Sequence, residues 1–446
     1  MAKTKENSME KFVSFCKRRG FIFQSSEIYG GFSSCYDYGP LGVELKNNVK
    51  RAWWRAMVQE NRDIVGLDAS ILMSPKVWQA SGHLTEGFAD PMVECKKCHK
   101  RFRPDHLEDK KRCPECGGEL TGARQFNLMM KTSVGPVEDT ASEAYLRAET
   151  CQGIYMNFEN VRDSMRLKIP FGIAQIGKAF RNEITPGNFT FRMREFEQME
   201  MQYFTNPKEK ARHFKKLKEA RLKWYLDLGI EKKKLKFHEQ TPDELAHYSK
   251  AAFDIEYEFP FGVDELEGIH DRGDWDLSNH SEHSKQDLRY FDDQTKEKYF
   301  PHVIETSAGA DRAALTFLLD AFSVVHGGRT KTTESAKEEE FVLKIDKRLA
   351  PIKVAILPLS KKPELAKPAQ EIFDELKQEW QIQYDETGSI GRRYRRQDEI
   401  GTPYCVTFDF DSPKDKAVTV RDRDTMEQER VKIDELKIYF REKLGD

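Results

Sequence analysis

The sequence predicts two domains of mixed helix and strand, and three observations carry that prediction. Residues Phe180 to Phe204, FRNEITPGNFTFRMREFEQMEMQYF, read as two strands around a turn, because from Phe196 onward apolar and polar side chains alternate. After about Leu349, strand-like and helix-like runs take turns over about a hundred residues, the grammar of a compact α/β domain with a largely parallel sheet. The chain's 446 residues exceed what one small core needs, so two or three domains are expected.

Taken in order, the turn-rich EIYGGFSSCYDYGPLG leads into a helix from about Leu41 to Val58, with Leu41, Leu45, Val49, Ala52 and Ala56 on one side. A cysteine module interrupts from about Val93 to Gly122. In the hairpin, Met199, Met201 and Tyr203 form the apolar side, and Gln198, Glu200 and Gln202 the polar side. The break ITPGN supplies Pro186, Gly187 and Asn188 for a tight reversal. Extending the phase backward sets Arg192 and Arg194 beside Gln198 and Glu200. The hairpin thus has one buried face and one face of charges, which ordinarily means cross-strand ion pairs in water.

Between Lys208 and Lys236 there are twelve Lys or Arg and four acids, with Phe214, Leu217, Arg221 and Trp224 at helical spacing, so an exposed basic helix is expected. Such faces are usually only solvated, with nucleic-acid contact the sharper alternative. Acids and aromatics crowd Phe253 to His280; PHVIETSAGADRAALTFLLDAF then reads as strand, small-residue turn and apolar helix. RTKTTESAKEEE reads as an exposed connector. Beyond it, IKVAILPL, IQYD, PYCVTFDF and AVTVRD are strands, with helices between and after them.

Apolar residues make up 38% and charged residues 33% of the chain, the composition of a soluble globular protein. No run has membrane-span length and the start lacks the apolar block of a secretion signal, so a cytoplasmic enzyme is expected. A formal charge of -2 argues neither for nor against a nucleic-acid partner. Four cysteines, Cys95, Cys98, Cys113 and Cys116, form CKKC and CPEC knuckles; that spacing suits a tetrahedral structural Zn²⁺, with a redox pair or free thiols as the alternative. Cys16, Cys35, Cys151 and Cys405 have no partner at metal spacing and read as ordinary buried thiols. In GRRYRRQDEIG, Arg392, Arg393, Arg395 and Arg396 surround Tyr394, a pattern that fits phosphate or base contact. Neither GxxxxGK[ST] nor a GxGxxG after a strand occurs.

The hairpin nevertheless resembles motif 2 of class II aminoacyl-tRNA synthetases, whose core Phe-Arg-x-Glu is here Phe180, Arg181, Asn182 and Glu183. GADR, ending at Arg312 before an apolar helix, is similar to their motif 3. More narrowly, IYGGFSSCYDYGPLGVELKNNVKRAWW, LRAETCQG, PFGIAQIGKAFRNEITPGNFTFRMREFEQMEM, ELEGIHDRGDWDLSNH and GSIGRRYRRQDEIGTPYC each resemble glycyl-tRNA synthetases of the homodimeric type, from about Ile28 to the C-terminus. Ala148 stands where that family usually has proline, and Thr306 where proline or serine is common.

The resemblance implies an α+β catalytic domain over 1–340, an antiparallel sheet flanked by helices, with the four-cysteine insertion at 93–122 and the basic insertion at 205–250. An α/β anticodon-binding domain over 349–446 would follow, with Arg392, Arg393, Arg395 and Arg396 toward tRNA. It implies ATP, Mg²⁺, glycine and tRNA(Gly) as partners, and a homodimer built on the helix after YGPLG and the segment around Pro75.

The implied reaction joins glycine to ATP and moves it to tRNA. Attack of a carboxylate on a phosphate joins two anions, so the site must neutralise charge and hold the partners in line. By resemblance, Arg181 grips the α-phosphate and the glycine carboxylate, Glu183 accepts from the adenine amino group, and Arg192 reaches the outer phosphates. Phe196 and Arg312 sandwich the adenine. Asn182, Phe191, Met193, Arg194, Glu195, Gly309, Ala310 and Asp311 complete the ATP set, with Glu265 and Leu266 as a further pair whose carboxylate could hold Mg²⁺. The glycine set is Arg103, Glu149, Phe196, Glu197, Gln198, Met199, Glu200, Glu305, Thr306, Ser307, Ala308 and Gly309. No amino acid is smaller than glycine, so steric exclusion suffices and editing is dispensable. The rival readings are a non-catalytic synthetase-like nucleic-acid-binding protein and a synthetase for another small amino acid.

Overall fold

The computed structural model describes residues 2–445 apart from 85–87, 137–141, 185, 242–244, 246–249, 328 and 330–338. Thr185 of the expected turn, the end of the basic insertion, and most of the expected connector therefore lie outside the described residues.

Helix α1 (Ala2–Arg19) precedes the loop that leads to α2 (Pro40–Trp54). Pro40 at the first helical position starts α2 without losing a needed donor. Leu45, Val49 and Trp53 repeat at intervals of four and bury one face. The helix stops short of the expected Val58: residues Arg55–Gln59 widen into a π-type turn.

The next element of the main sheet is the short β1 (Ile64–Gly66), followed by β2 (Phe171–Phe180) and β3 (Glu195–Thr205). A Cβ at Gly66 would meet Trp54 at 2.5 Å, so glycine lets helix and sheet close together. Helix α3 (Lys210–Asp227) crosses the back, and β4 (Leu235–Glu239), β5 (Ala251–Phe259), β6 (Gly262–Gly273) and β7 (His302–Gly309) complete the sheet before α4 (Ala310–Ala321). The order is β4-β5-β6-β7-β3-β2-β1, antiparallel except where β1 joins β2. Helices α2, α3 and α4 cover one face with a core that includes Leu45, Val49, Met199, Met201, Leu217, Ala308 and Leu315.

Two expectations about the hairpin are corrected. β2 and β3 pair from Phe171↔Phe204 to Phe180↔Glu195, so the strands end before Arg181 and resume at Glu195. Residues 181–184 and 186–194 leave the strand path, with a short helical turn at Phe189–Phe191 and positive φ at Asn188 (56°) and Phe189 (60°). Arg192 and Arg194 are therefore not on the strand. Nor is the polar face of β3 the solvated surface such a pattern ordinarily means: Gln198, Glu200 and Gln202 are buried.

The C-terminal unit has its own core around Val354, Ile356, Leu365, Val406 and Phe440. β8 (Val354–Ile356), α5 (Pro363–Leu376), β9 (Ile382–Tyr384), α6 (Ile390–Ile400), β10 (Tyr404–Thr407), β11 (Ala417–Asp422) and β12 (Gln428–Lys432) precede α7 (Leu436–Leu444). The sheet order is β9-β8-β10-β11-β12; β8 is parallel to both neighbours, and the remaining pairs are antiparallel. The sheet is mixed, not largely parallel. β11 and β12 are joined by a hairpin, with no crossover helix between them to make them parallel.

Glu339 and Glu340, read as part of the connector, open a strand, Glu339–Leu343, that pairs with Phe322–His326. No described helix is long and apolar enough to cross a membrane.

Candidate active site

The opposite face of the main sheet is covered at one end by the helices Cys151–Met156 and Phe158–Ser164, and beside them it holds a cavity of about 460 Å³. Alternation along β3 turns Phe196, Gln198 and Glu200 into it, and alternation along β7 does the same for Glu305, Ser307 and Gly309. β6 adds Glu265 and His270. Their odd spacing puts both on one side because β6 bulges at Leu266: Glu265 pairs with Glu256, but Glu267 already pairs with Ile255. The excursion after β2 contributes Arg181, Glu183 and Arg192; Arg312 enters from the first turn of α4 and Arg103 from the cysteine module.

One end is acidic. Glu149 accepts from Cys151 Sγ and Gln152 Nε2, both at 2.9 Å, and faces His83 Nε2 at 3.4 Å. Glu200 accepts from the Thr150 hydroxyl and, at 2.9 Å, from Ser307. Glu305 accepts from Gln202 Nε2 at 2.7 Å, His270 Nδ1 at 2.9 Å and Arg272 Nη1 at 3.1 Å. Arg272 also forks onto Asp276 at 2.7 and 2.9 Å.

The glutamates of the acidic end, Glu149, Glu200 and Glu305, do not ionise alike. Burial disfavours every charge here, but Arg272 and His270 lower Glu305 to about 2. Burial is likewise outweighed at Glu149, which His83 and Arg272 hold well below the usual carboxylate range. Glu200 is pushed up to about 7 by burial and by the charges of Glu305 and Glu149. Burial opposes a charged His270, yet its bond to Glu305 raises its pKa. This end is short of positive charge and suits an incoming ammonium.

The other end is cationic and aromatic. Arg181 donates through Nε to Ala148 O at 3.1 Å and lies 5.5 Å from the centres of both Phe88 and Phe196. Arg312 lies 4.3 Å over Phe191 and donates to Glu265 O at 2.8 Å. Flat guanidinium groups beside ring faces make slots for a planar base, and their charge suits phosphate. Arg103 pairs with Asp90 at 2.8 Å.

Of the residues implied by resemblance, the structure brings Arg103, Glu149, Arg181, Glu183, Phe191, Arg192, Met193, Phe196, Gln198, Glu200, Glu265, Glu305, Ser307, Gly309, Asp311 and Arg312 to this cavity. It does not bring the others. Glu197, Met199, Thr306 and Ala308 occupy the opposite strand phase: Glu197 pairs with Lys46 and Lys50 behind the sheet, and Met199 and Ala308 lie in the core. Leu266 and Ala310 are core residues. Asn182 is held through its backbone by Leu128 O, Arg194 donates to Ser33 O and Glu183 O, and Glu195 pairs with Lys178 in solvent. Asp311 lines the cavity but is tied to Lys46 at 3.0 Å and the Glu197 backbone at 2.6 Å.

Sequence reasoning passed over Asp90, Gln240, Asp254 and His270, which also line the cavity. The bulge hid His270, since strict alternation from Glu265 points it the wrong way.

The arginine cluster separates similarly. Arg393 is buried and donates to Pro358 O, Asp385 O and Leu359 O, while Arg395 pairs with Glu340 at 3.0 Å. Arg396 binds Asp385 and Thr387 O. Arg393 and Arg395 hold protein together and have no open face for RNA; Arg392 is exposed.

The four cysteine sulfurs lie within 4.8 Å of one another, with Cys95–Cys116 at 3.5 Å and Cys98–Cys113 at 3.7 Å. A zinc tetrahedron with Zn–S bonds of about 2.3 Å has edges near 3.8 Å. Backbone N–H groups of Lys97 and Cys98 point at Cys95 Sγ, so the donor set fits a structural Zn²⁺.

An antiparallel sheet carrying a two-ended cavity, with the motif 2 arginine on one side and the motif 3 arginine on the other, defines a class II aminoacyl-tRNA synthetase. Residues 133–322 match the tRNA synthetase class II core domain (G, H, P, S and T), and residues 353–443 match the anticodon binding domain. The chain is 56% identical to a glycine–tRNA ligase of Treponema denticola over 96% of its length and 95% of that protein's. It is 52% identical to those of Thermobifida fusca, over 99% of each chain, and Clostridium acetobutylicum, over 98% and 99%. The chain belongs to the glycine–tRNA ligase family.

Proposed function

We propose that this protein activates glycine with ATP and transfers it to the 3′ end of tRNA(Gly). The observation that carries this reading is the meeting of Glu149, Glu200 and Glu305 with Arg181, Arg192 and Arg312 in one cavity. Acids around an ammonium and arginines around phosphates are what a zwitterion and a triphosphate need side by side.

In the first step a glycine carboxylate oxygen attacks the α-phosphorus and the bond to diphosphate breaks. In the second a terminal ribose hydroxyl attacks the glycyl carbonyl and AMP leaves. Arg181 neutralises the two reacting anions, and Arg192 takes the outer phosphates. Phe196 and Arg312 hold the base with Phe191 beside them, and Glu183 fixes its amino group. Glu149, Glu200 and Glu305 receive the ammonium, with Ser307 holding Glu200 in place. Mg²⁺ would arrive with the triphosphate and offset its charge. Glu265, with Asp254 near it, is the carboxylate available to hold that ion.

A structural Zn²⁺ on the four cysteines, a homodimer and a reducing cytoplasmic setting belong to the same reading. Contact with tRNA in the C-terminal domain falls to Arg392 and the exposed part of Arg396, leaving Arg393 and Arg395 as scaffold. Arg181→Ala should abolish glycine-dependent pyrophosphate exchange while the far-ultraviolet dichroism stays unchanged. Normal exchange in that variant, or charging of another amino acid in preference to glycine, would sink the proposal.

A further inference from the structure

We infer that His270 is a positioning residue for glycine recognition, acting through the Glu305 carboxylate. His270 and Glu305 are direct cross-strand partners on β6 and β7. Nδ1 lies 2.9 Å from Glu305 Oε1, while Gln202 and Arg272 take Oε2 at 2.7 and 3.1 Å. Hydrogen bonds on both oxygens stop the carboxylate from turning, and among the described residues only His270 holds Oε1. Arg272 is buried and shared with Asp276; His270 is the partner of Glu305 that itself lines the cavity.

The chain makes room for this ring. A Cβ at Gly268 would stand 2.6 Å from His270 Cε1, closer than non-bonded atoms approach, so any side chain there displaces the imidazole. The bulge at Leu266 is what puts positions 268 and 270 on the cavity face. Glu265 and Asp254, which line the same cavity, also face His270. The imidazole thus stands between Glu265 and Asp254 on one side and Glu305 on the other.

The inference rests on Glu305 belonging to the glycine pocket, and the test separates the two claims. Glycine and ATP KM values are measured by pyrophosphate exchange for His270→Ala, His270→Asn and Glu305→Gln. His270→Ala should raise the glycine KM about tenfold and leave the ATP KM within about twofold. Asparagine, whose amide nitrogen reaches the place of Nδ1, should restore it to within about threefold. A glycine KM unchanged by alanine but raised by Glu305→Gln overturns the role of His270 alone. So does an asparagine variant no better than alanine, or an ATP KM that rises in step. A normal glycine KM in Glu305→Gln overturns the pocket reading itself.

Discussion

Arg395 Nε stands 3.0 Å from Glu340 Oε1, with the two side chains 9% and 3% exposed. The pair joins α6 of the C-terminal domain to the strand Glu339–Leu343 beside the catalytic domain. Arg19 reaches Glu399 on the same helix, and Asn48 Nδ2 donates to Leu349 O and Ala350 O at 3.1 and 2.9 Å. A helix that looks like an RNA-binding surface is therefore largely a clamp between domains.

The clamp should behave as a buried ion pair. Arg395→Met removes the cation beside the buried Glu340 carboxylate, which keeps the Arg329 backbone N–H at 2.7 Å, and should destabilise the protein by about 3 kcal/mol. The double variant with Glu340→Leu should recover most of that loss. Arg392→Ala should leave the unfolding midpoint unchanged and weaken tRNA binding instead. Urea unfolding with tRNA titration checks all three; equal stability loss from Arg392→Ala and Arg395→Met would contradict the assignment.

Glycine binding should depend on pH through Glu200. Its carboxyl is raised to about 7, by burial first and then by Glu305 and Glu149. A carboxyl raised on folding contributes stability below its unfolded value, and that contribution is lost as pH rises through about 7. An ammonium partner reverses the balance by favouring the anion. Glycine should therefore bind more tightly as pH rises through about 7, releasing a proton. Glu305 and Glu149, both lowered, stay ionised throughout. Calorimetry in buffers of different ionisation heat measures the proton, and Glu200→Gln should abolish its release.

The four-cysteine module should hold one zinc ion per chain by elemental analysis, with its four thiols unreactive until a chelator is added. Cys98→Ser should lower the metal content and open the module to protease. Because Arg103 of this module reaches the cavity, the same variant should raise the glycine KM more than the ATP KM. Full protease resistance in metal-free protein would rule out a structural role for zinc.

Arg221 anchors the basic helix α3. It binds Glu267 at 2.6 and 3.0 Å, with both residues buried behind the catalytic sheet. Glu267→Gln should destabilise by about 3 kcal/mol, whereas exposed Lys216→Ala should change stability by less than about 0.5 kcal/mol. Thermal unfolding of the two variants distinguishes an anchor from a solvated face.

The strands of the central hairpin were legible because side chains in a strand alternate and Met199, Met201 and Tyr203 keep that period. Leu217, Arg221 and Trp224 were legible at helical spacing for the same kind of reason. The excursion after Phe180 was not, since Arg181 to Arg194 carries polar residues that fit equally well as a strand or as a loop held by distant carbonyls. His270 was missed because one extra residue at a bulge inverts the phase, and nothing local marks it.

The sequence by itself determined the family, the two-domain plan, the motif arginines and the cysteine knuckles, because each is written in residue identity and short spacing. Only the tertiary structure decided which charges work at the site and which hold the molecule together. Glu197 and Glu200, or Arg392 and Arg395, are equivalent as letters. Strand phase and burial send Glu200 to the cavity and Glu197 to two lysines behind the sheet, and leave Arg392 in water while Arg395 enters the clamp. A charge takes its role from what surrounds it, and those surroundings come from segments distant in the chain.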